Sequence, residues 1–171
     1  SLKTFTSREA AAMVGIAEST LRQMSLDGES VAPELHGKDN RRRAYTLTQI
    51  NEIRAHLAQK RPKEALNFLP RRRPGEKLQI VAVANFKGGS AKTTTTVHLA
   101  HFLALQGLRV LAIDLDPQAS LSTMFGFQPE LDVDENQTVY GAIRYDDNLR
   151  VSLREVIRKT YFDGIDLVPG N

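Results

Sequence analysis

The chain has 171 residues, of which 25% are charged, with a formal net charge of +3 and no cysteine. The absence of cysteine excludes a disulfide framework, a cysteine-ligated zinc site and an iron–sulfur cluster. No apolar run approaches the roughly 20 residues of a membrane span and no signal-peptide pattern begins the chain, so we expect a cytoplasmic protein. Residues 1–75 carry 14 Lys and Arg against 8 Asp and Glu, whereas residues 76–171 carry 9 against 12. This asymmetry predicts two domains, of which the first would bind nucleic acid.

The first predicted domain covers residues 1–59 and is small and mainly α-helical. A helix over 8–14 ends at Gly15, and a second helix, with Leu21 as its apolar anchor, begins near Ser19. A helix-turn-helix typically has a small residue where its helices meet, glycine in the turn and an apolar anchor in the second helix.

A basic loop over 36–45 follows, and apolar residues at helical spacing then predict an amphipathic helix over about 46–57. This order, together with the segment Thr20-Leu21-Arg22, resembles the winged MerR-type DNA-binding module. The resemblance implies major-groove contacts from Ser19, Thr20, Arg22 and Gln23, and contacts to phosphates or the minor groove from Lys38, Arg41, Arg42 and Arg43. The alternative is a solvated charged loop beside an ordinary three-helix bundle.

Residues 60–76 predict a basic, proline-rich linker with one helical turn inside it. Three consecutive arginines at 71–73 either add electrostatic affinity for DNA or serve only as a solvated tether.

The second predicted domain, residues 77–171, opens with an apolar segment over 78–85 that predicts a β-strand. The sequence K-G-G-S-A-K-T-T at 87–94 follows and leads into a predicted helix over 93–106. Paired glycines between a strand and a helix let backbone N–H groups and the positive helix end converge on phosphates. Eight residues therefore form a predicted phosphate-binding loop: Lys87, Gly88, Gly89, Ser90, Ala91, Lys92, Thr93 and Thr94. Lys92 would contact the β- and γ-phosphates and Thr93 would bind Mg²⁺. The alternative is a Gly-Gly turn flanked by solvated lysines.

The ordinary phosphate-loop pattern fails here, because Phe86 and Ala91 stand where it requires glycine. With its additional leading lysine, the motif resembles the deviant Walker A loop of the ParA/MinD-type ATPases. The resemblance implies ATP and Mg²⁺ as cofactors and a homodimer that forms on ATP binding, in which Lys87 reaches the phosphates bound by the partner. Most relatives carry glycine at the position of Ala91.

A predicted buried strand over 109–114 leads directly into the sequence D-L-D-P-Q at 114–118. Carboxylates at the carboxyl end of such a strand lie where open α/β sheets bind ligands. The family resemblance makes Asp116 the residue that positions the attacking water, and makes Lys87, Lys92 and Asp116 the catalytic set. It places Thr93, Asp114 and Asp116 near the Mg²⁺. In the alternative interpretation the two aspartates only cap the next helix.

Further predicted elements are a helix over 119–127, short helices over 138–145 and 152–160, and a strand over 165–168. The predicted fold class is thus α/β, a P-loop parallel sheet preceded by the winged domain. Only three convincing strands occur, so the sheet is expected to be truncated at its C-terminus and the chain to be the N-terminal part of a longer ATPase.

Around residues 85–90 and 115–121 the sequence is most similar to the RepA proteins of repABC plasmids, a branch of the ParA-type family. The resemblance implies ATP-driven plasmid partition on the nucleoid with a ParB-like partner, DNA binding by the dimer and repression of its own operon. Two alternatives remain: a nucleotide-gated transcriptional repressor with incidental hydrolysis, and a membrane-associated positioning ATPase.

Overall fold

The computed structural model describes residues 3–29, 34–36, 42–132 and 134–170. The chain separates into two compact units. The N-terminal unit extends to Leu78 and also includes Leu105–Leu108. The C-terminal unit comprises Gln79–Ala104 and the chain from Arg109 onward.

The N-terminal unit begins with a short strand and two helices that local sequence signals delimit. Strand β1 (Phe5–Thr6) leads into α1 (Ser7–Val14), and α2 (Glu18–Leu26) follows after one turn. Thr6 and Glu9 form a reciprocal capping box at the start of α1. Gly15, with a φ of +84°, ends that helix in the left-handed conformation that glycine adopts without a Cβ clash.

A small antiparallel sheet completes this unit. Strands β2 (Glu34–His36) and β3 (Arg42–Tyr45) form a hairpin, and β1 pairs with the other edge of β3, which gives the order β1-β3-β2. Helix α3 (Leu47–Lys60) starts at a second capping box, formed by Thr46 and Gln49. The apolar positions predicted for this helix are buried: Leu47, Ile50, Ile53 and Leu57.

The predicted linker contains ordered structure that belongs to the N-terminal unit. A 3₁₀ turn (Pro62–Glu64) and the short helix α4 (Ala65–Phe68) follow α3 directly. Helix α4 packs against α3 and buries Phe68. The predicted helical turn is therefore present, and the arginines at 71–73 beyond it are exposed.

One buried charge organises the N-terminal unit. The guanidinium of Arg54, only 1% exposed, donates to the carbonyl oxygens of Met13 and Leu105 at 2.7 and 2.8 Å and to the Asn51 side chain at 2.7 Å. Burial lowers the pKa of Arg54. A Cβ on Gly107 would lie 3.1–3.3 Å from the guanidinium, so the turn at 106–108 needs glycine for this close approach.

The C-terminal unit combines helices with a small sheet. Its helices are α5 (Lys92–Leu105), α6 (Ser120–Met124), α7 (Pro129–Asp132) and α8 (Val139–Ile143), with a 3₁₀ turn at Glu135–Gln137. The last residue of α5, Leu105, belongs to the N-terminal unit. The strands are β4 (Val110–Ile113), β5 (Arg158–Lys159) and β6 (Ile165–Val168). Strands β4 and β6 run parallel with Val110 opposite Ile165, whereas β5 runs antiparallel to β6. The described sheet is therefore mixed, with the order β4-β6-β5, and the α/β class is confirmed.

The core of this unit lies between α5, α6 and the sheet. Its buried members are Val97, Ala100, Ala104, Ala112, Leu121, Phe125, Ile165 and Leu167. This packing fixes the carboxyl end of β4 and the start of α6 relative to each other, and the two aspartates of the D-L-D-P-Q sequence lie between them.

Two predictions of secondary structure, a strand over 78–85 and a helix over 152–160, were wrong. Residues 78–85 form no strand, since they pair with none of the strands that the structure describes, and Ile80 is 84% exposed. An apolar run favours a strand only when a neighbouring strand satisfies its backbone groups. The predicted helix over 152–160 is also absent, because residues 158–159 pair with β6 as β5. No helix within the described ranges is long and apolar enough to cross a membrane.

Candidate nucleotide-binding site

The predicted phosphate-binding loop lies between an extended exposed segment and the first turn of α5. Residues 86–91 form consecutive turns and bends, and the helix starts at Lys92. The backbone N–H of Lys87 donates to the Asn85 side chain at 2.9 Å, which fixes the entry to the loop. Gly89 has a φ of +70°, and a Cβ on Gly88 would meet nothing within 4 Å. The loop is therefore tightly turned and open on its outer side.

The side chains of the loop leave polar groups available to an anion. The Ser90 hydroxyl is buried and has no hydrogen-bond partner among the described residues. The Lys92 ammonium lies 3.5 Å from the Lys87 carbonyl oxygen, a weak contact that a phosphate would replace. Because the first N–H groups of a 14-residue helix also point into the loop, the residues present fit a bound phosphate group.

Ala91 occupies a strained position in this loop. It has a φ of +57°, in the left-handed region that favours glycine. Its carbonyl oxygen accepts the N–H of Thr95 at 2.9 Å, so Ala91 is the N-terminal cap of α5. The backbone conformation thus suits the glycine that the ordinary phosphate-loop pattern has at this position.

Two aspartates at the end of β4 have opposite environments. Asp114 is 3% exposed, whereas Asp116 is exposed to solvent. One carboxylate oxygen of Asp116 accepts the N–H of Gln118 at 3.0 Å, and its other oxygen has no hydrogen-bond partner among the described residues. Asp114 instead accepts three hydrogen bonds from within the unit, two of them from Ser122. Of these two aspartates, Asp116 is the one whose carboxylate faces solvent.

The sequence did not single out two residues that lie against Asp114. The hydroxyl of Ser122 donates to Asp114 at 2.8 Å and accepts the N–H of Gly170 at 3.0 Å. Neither residue belongs to a recognisable phosphate-loop pattern, and the contact joins residues 48 positions apart in the chain. Only the three-dimensional structure brings them together.

The predicted DNA-contacting residues divide into exposed, half-buried and undescribed positions. Ser19, Arg22 and Gln23 are exposed on α2, with Glu18 and Leu26, along a shallow groove of about 400 Å³. Thr20 and Arg43 are half-buried, and Arg42 contributes its backbone to β3. Lys38 and Arg41 lie outside the described residues.

The side chains of α2 are held only by weak local contacts. Arg22 lies 3.8 Å from Glu18, both more than 40% exposed, and Gln23 donates to Asp27 at 2.8 Å. Exposed ion pairs of this kind contribute about 0–1 kcal/mol, so a ligand can displace them at little cost.

Several known proteins are similar to this chain over half of its length or more. The family model described as AAA domain matches residues 78–171. A protein of Sinorhizobium fredii (strain NBRC 101917 / NGR234) named "Putative replication protein A" is 50% identical over 99% of this chain and 40% of its own length. Protein SopA of Escherichia coli (strain K12) is 31% identical over 94% of this chain and 39% of its own length.

A solved structure titled "Partition Protein" shares the fold, with a TM-score of 0.51 and 23% identity over all of this chain and 46% of that protein. The chain spans about two fifths of the length of the curated relatives named above. It belongs to the AAA domain family.

Proposed function

We propose that this chain supplies the nucleotide-binding loop and the DNA-binding domain of an ATP-dependent plasmid partition ATPase. The observation that carries the proposal is the loop at 87–94, which keeps two lysines, a tight Gly-Gly turn and an unpartnered Ser90 hydroxyl at the N-terminus of α5. Phosphate recognition is the chemistry that this combination serves best.

Within the loop, the backbone N–H groups of residues 88–94 would surround the phosphates, and Lys92 would neutralise the β- and γ-phosphate charge. The Thr93 hydroxyl and the exposed Asp116 would hold Mg²⁺ and its water ligands. Bound Mg²⁺ neutralises charge on the phosphate oxygens during transfer. The loop would thus bind a nucleoside triphosphate more tightly than a diphosphate, because the triphosphate offers one more phosphate group to contact.

Hydrolysis needs a group that orients the attacking water, and Asp116 suits this role. Its carboxylate is exposed, and one oxygen is fixed by the Gln118 N–H while the other is free to accept a hydrogen bond from water. Little covalent chemistry falls to the protein in phosphoryl transfer, so orientation and charge stabilisation supply most of the rate.

Lys87 is the candidate for a contact between subunits. Its backbone N–H is held by Asn85, while its side chain is exposed at the head of the loop. A lysine that projects from the loop can reach a phosphate bound by a second copy, which would make dimer formation depend on ATP. Dimerisation would then gate binding of DNA and of a ParB-like partner.

The N-terminal unit is the proposed DNA-binding part. Helix α2 presents Ser19, Arg22 and Gln23 on one exposed face, where Arg is suited to guanine and Gln to adenine. The basic segment at 36–45 is the proposed wing. Its residues Arg42 and Arg43 lie in β3, which pairs with β2. The same surface supports the second candidate function, a nucleotide-gated repressor. In that case binding to operator DNA would outlast ATP turnover.

Steady-state ATP hydrolysis by the full-length protein with Mg²⁺ tests the proposal, with Asp116→Asn and Asp146→Asn as matched variants. Both aspartates are exposed and both accept the N–H of the residue two positions later, so asparagine preserves the local turn at each site. We expect Asp116→Asn to lower kcat by about 100-fold or more and Asp146→Asn to leave it unchanged. Wild-type protein that neither binds nor hydrolyses ATP would overturn the proposal, as would equal activity in both variants.

A further inference from the structure

Both oxygens of the Asp114 carboxylate accept hydrogen bonds inside the C-terminal unit. One oxygen accepts the N–H of Asp116 at 3.1 Å, and the other accepts both the N–H and the hydroxyl of Ser122 at 2.8 Å. Asp114 is 3% exposed and Ser122 is 0% exposed. A carboxylate has about four acceptor sites, and three of them are used here.

Ser122 extends this network to the segment that follows β6. Its hydroxyl accepts the N–H of Gly170 at 3.0 Å while it donates to Asp114, so both hydrogen-bonding capacities of the hydroxyl are used. Gly170 is packed so closely that a Cβ would lie 3.0 Å from both the Asp114 carboxyl carbon and the Asp116 carbonyl oxygen. The buried Ser122 hydroxyl therefore links the carboxyl ends of β4 and β6, in addition to the bond from the Asp114 N–H to the Val168 carbonyl oxygen at 3.0 Å.

The turn between Asp114 and Ser122 carries the proposed catalytic residue and is strained. Ala119 is buried and has a φ of +48°, and its N–H donates to the Asp116 carbonyl oxygen at 2.8 Å. A non-glycine residue in this conformation persists only when surrounding contacts enforce it. The bonds from Asp114 to both ends of the turn are such contacts.

We infer that Asp114 and Ser122 are positioning residues that hold the turn at 115–119 and so fix Asp116 for catalysis, and that Asp114 does not bind Mg²⁺. The inference rests on the proposed ATPase function. It assigns Asp114 a role that differs from the metal-side role implied by the family resemblance, because its oxygens face Ser122 and the backbone of Asp116.

The test compares Ser122→Ala, Asp114→Asn and the control Ser120→Ala in the full-length protein. Ser120 lies at the start of the same helix and is half-buried, with no side-chain hydrogen bond among the described residues. We expect Ser122→Ala to lower kcat about tenfold or more, while the KM for ATP and the Mg²⁺ concentration for half-maximal rate stay within twofold of wild type. Asp114→Asn should show the same split, and Ser120→Ala should match wild type.

A rise of tenfold or more in the Mg²⁺ requirement of Asp114→Asn would overturn the inference, because it would make Asp114 a metal ligand. A lowered unfolding temperature of Ser122→Ala with unchanged kcat would also overturn it. Amide hydrogen exchange at Gly170, measured without nucleotide, separates this inference from the proposed function. Faster exchange in Ser122→Ala than in Ser120→Ala supports the network even if the protein hydrolyses no ATP, and equal exchange contradicts it.

Discussion

The backbone N–H of Thr95 donates to the carbonyl oxygen of Ala91 at 2.9 Å, although Ala91 must adopt a φ of +57° to offer it. The left-handed conformation costs an L-residue with a Cβ about 1–2 kcal/mol, and glycine pays none of this steric cost. Helix α5 therefore starts from a strained cap inside the candidate phosphate-binding loop.

Ala91→Gly is expected to stabilise the protein by about 0.5–1 kcal/mol, since relief of the strain exceeds the added chain entropy of glycine. Nucleotide affinity should rise as well, because glycine adopts the conformation of the phosphate-binding loop without the steric cost that Ala91 has there. Urea unfolding and titration with a fluorescent ATP analogue measure the two effects. Ala100→Gly, in the interior of the same helix, is the control and should destabilise the protein by about 1 kcal/mol. Equal destabilisation by both substitutions would refute strain at Ala91.

Arg54→Met should lower the free energy of unfolding of the N-terminal unit by about 1–3 kcal/mol. The substitution keeps much of the side-chain volume but leaves the Met13 and Leu105 carbonyl oxygens without their donor. Chemical denaturation followed by circular dichroism gives the change. Arg61→Met, at an exposed arginine seven residues further on, should stay within about 0.5 kcal/mol of wild type. A similar loss in both variants would show that the buried hydrogen bonds do not stabilise the unit.

The environment of His101 predicts that acid lowers the free energy of unfolding of the C-terminal unit. Its ring packs against Phe125 and Phe162, with centroids 5.7 and 4.3 Å away, and its Nε2 is buried without a partner in the described structure. Burial, and secondarily the charge of His98, lower the pKa of His101 below its usual value of 6.5. The unfolded chain therefore binds a proton more readily than the folded one.

The contribution of His101 to stability is complete above about pH 6.5 and declines as the pH falls from there toward the lower pKa of the folded state. Unfolding free energies of wild type and His101→Phe, measured from pH 8 to pH 5, test this. The difference between the two proteins should be constant above pH 7.5 and should shift in favour of the variant as the solution is acidified. A difference that does not vary with pH would rule out proton uptake at His101.

Local sequence signals predicted the starts of α1 and α3 to within one residue. The prediction of a strand over 78–85, which depends on a distant partner, was wrong. Thr6 and Thr46 each meet a Glu or Gln three residues later, so the capping boxes that start α1 and α3 need no other part of the chain. The strand predicted over 78–85 depends on a neighbouring strand, and residues 158–159 became β5 because β6 offers a partner. Strand identity is a property of pairs of segments, which one segment does not encode.

The candidate site shows the same division. Lys92 was recognisable from the residue types and spacing of the motif at 87–94. The roles of Lys87 and Asp116 came from the resemblance of that motif and of the sequence at 114–118 to a known family. The environments of the two aspartates were not, because residue type does not show which side chains pack against positions 114 and 116 once β4 has ended. Ser122 and Gly170 lie against Asp114, and neither belongs to the sequence at 114–118 that contains it.

The central claim, a dimer that forms on ATP binding, is tested most directly by the light-scattering mass of the full-length protein with ATP and with ADP. Wild type and Lys87→Ala are compared at equal concentration. The account predicts a doubled mass only for wild type with ATP, and a monomer for Lys87→Ala under both conditions. Equal masses of both proteins with ATP and ADP would contradict the proposed role of Lys87 between subunits.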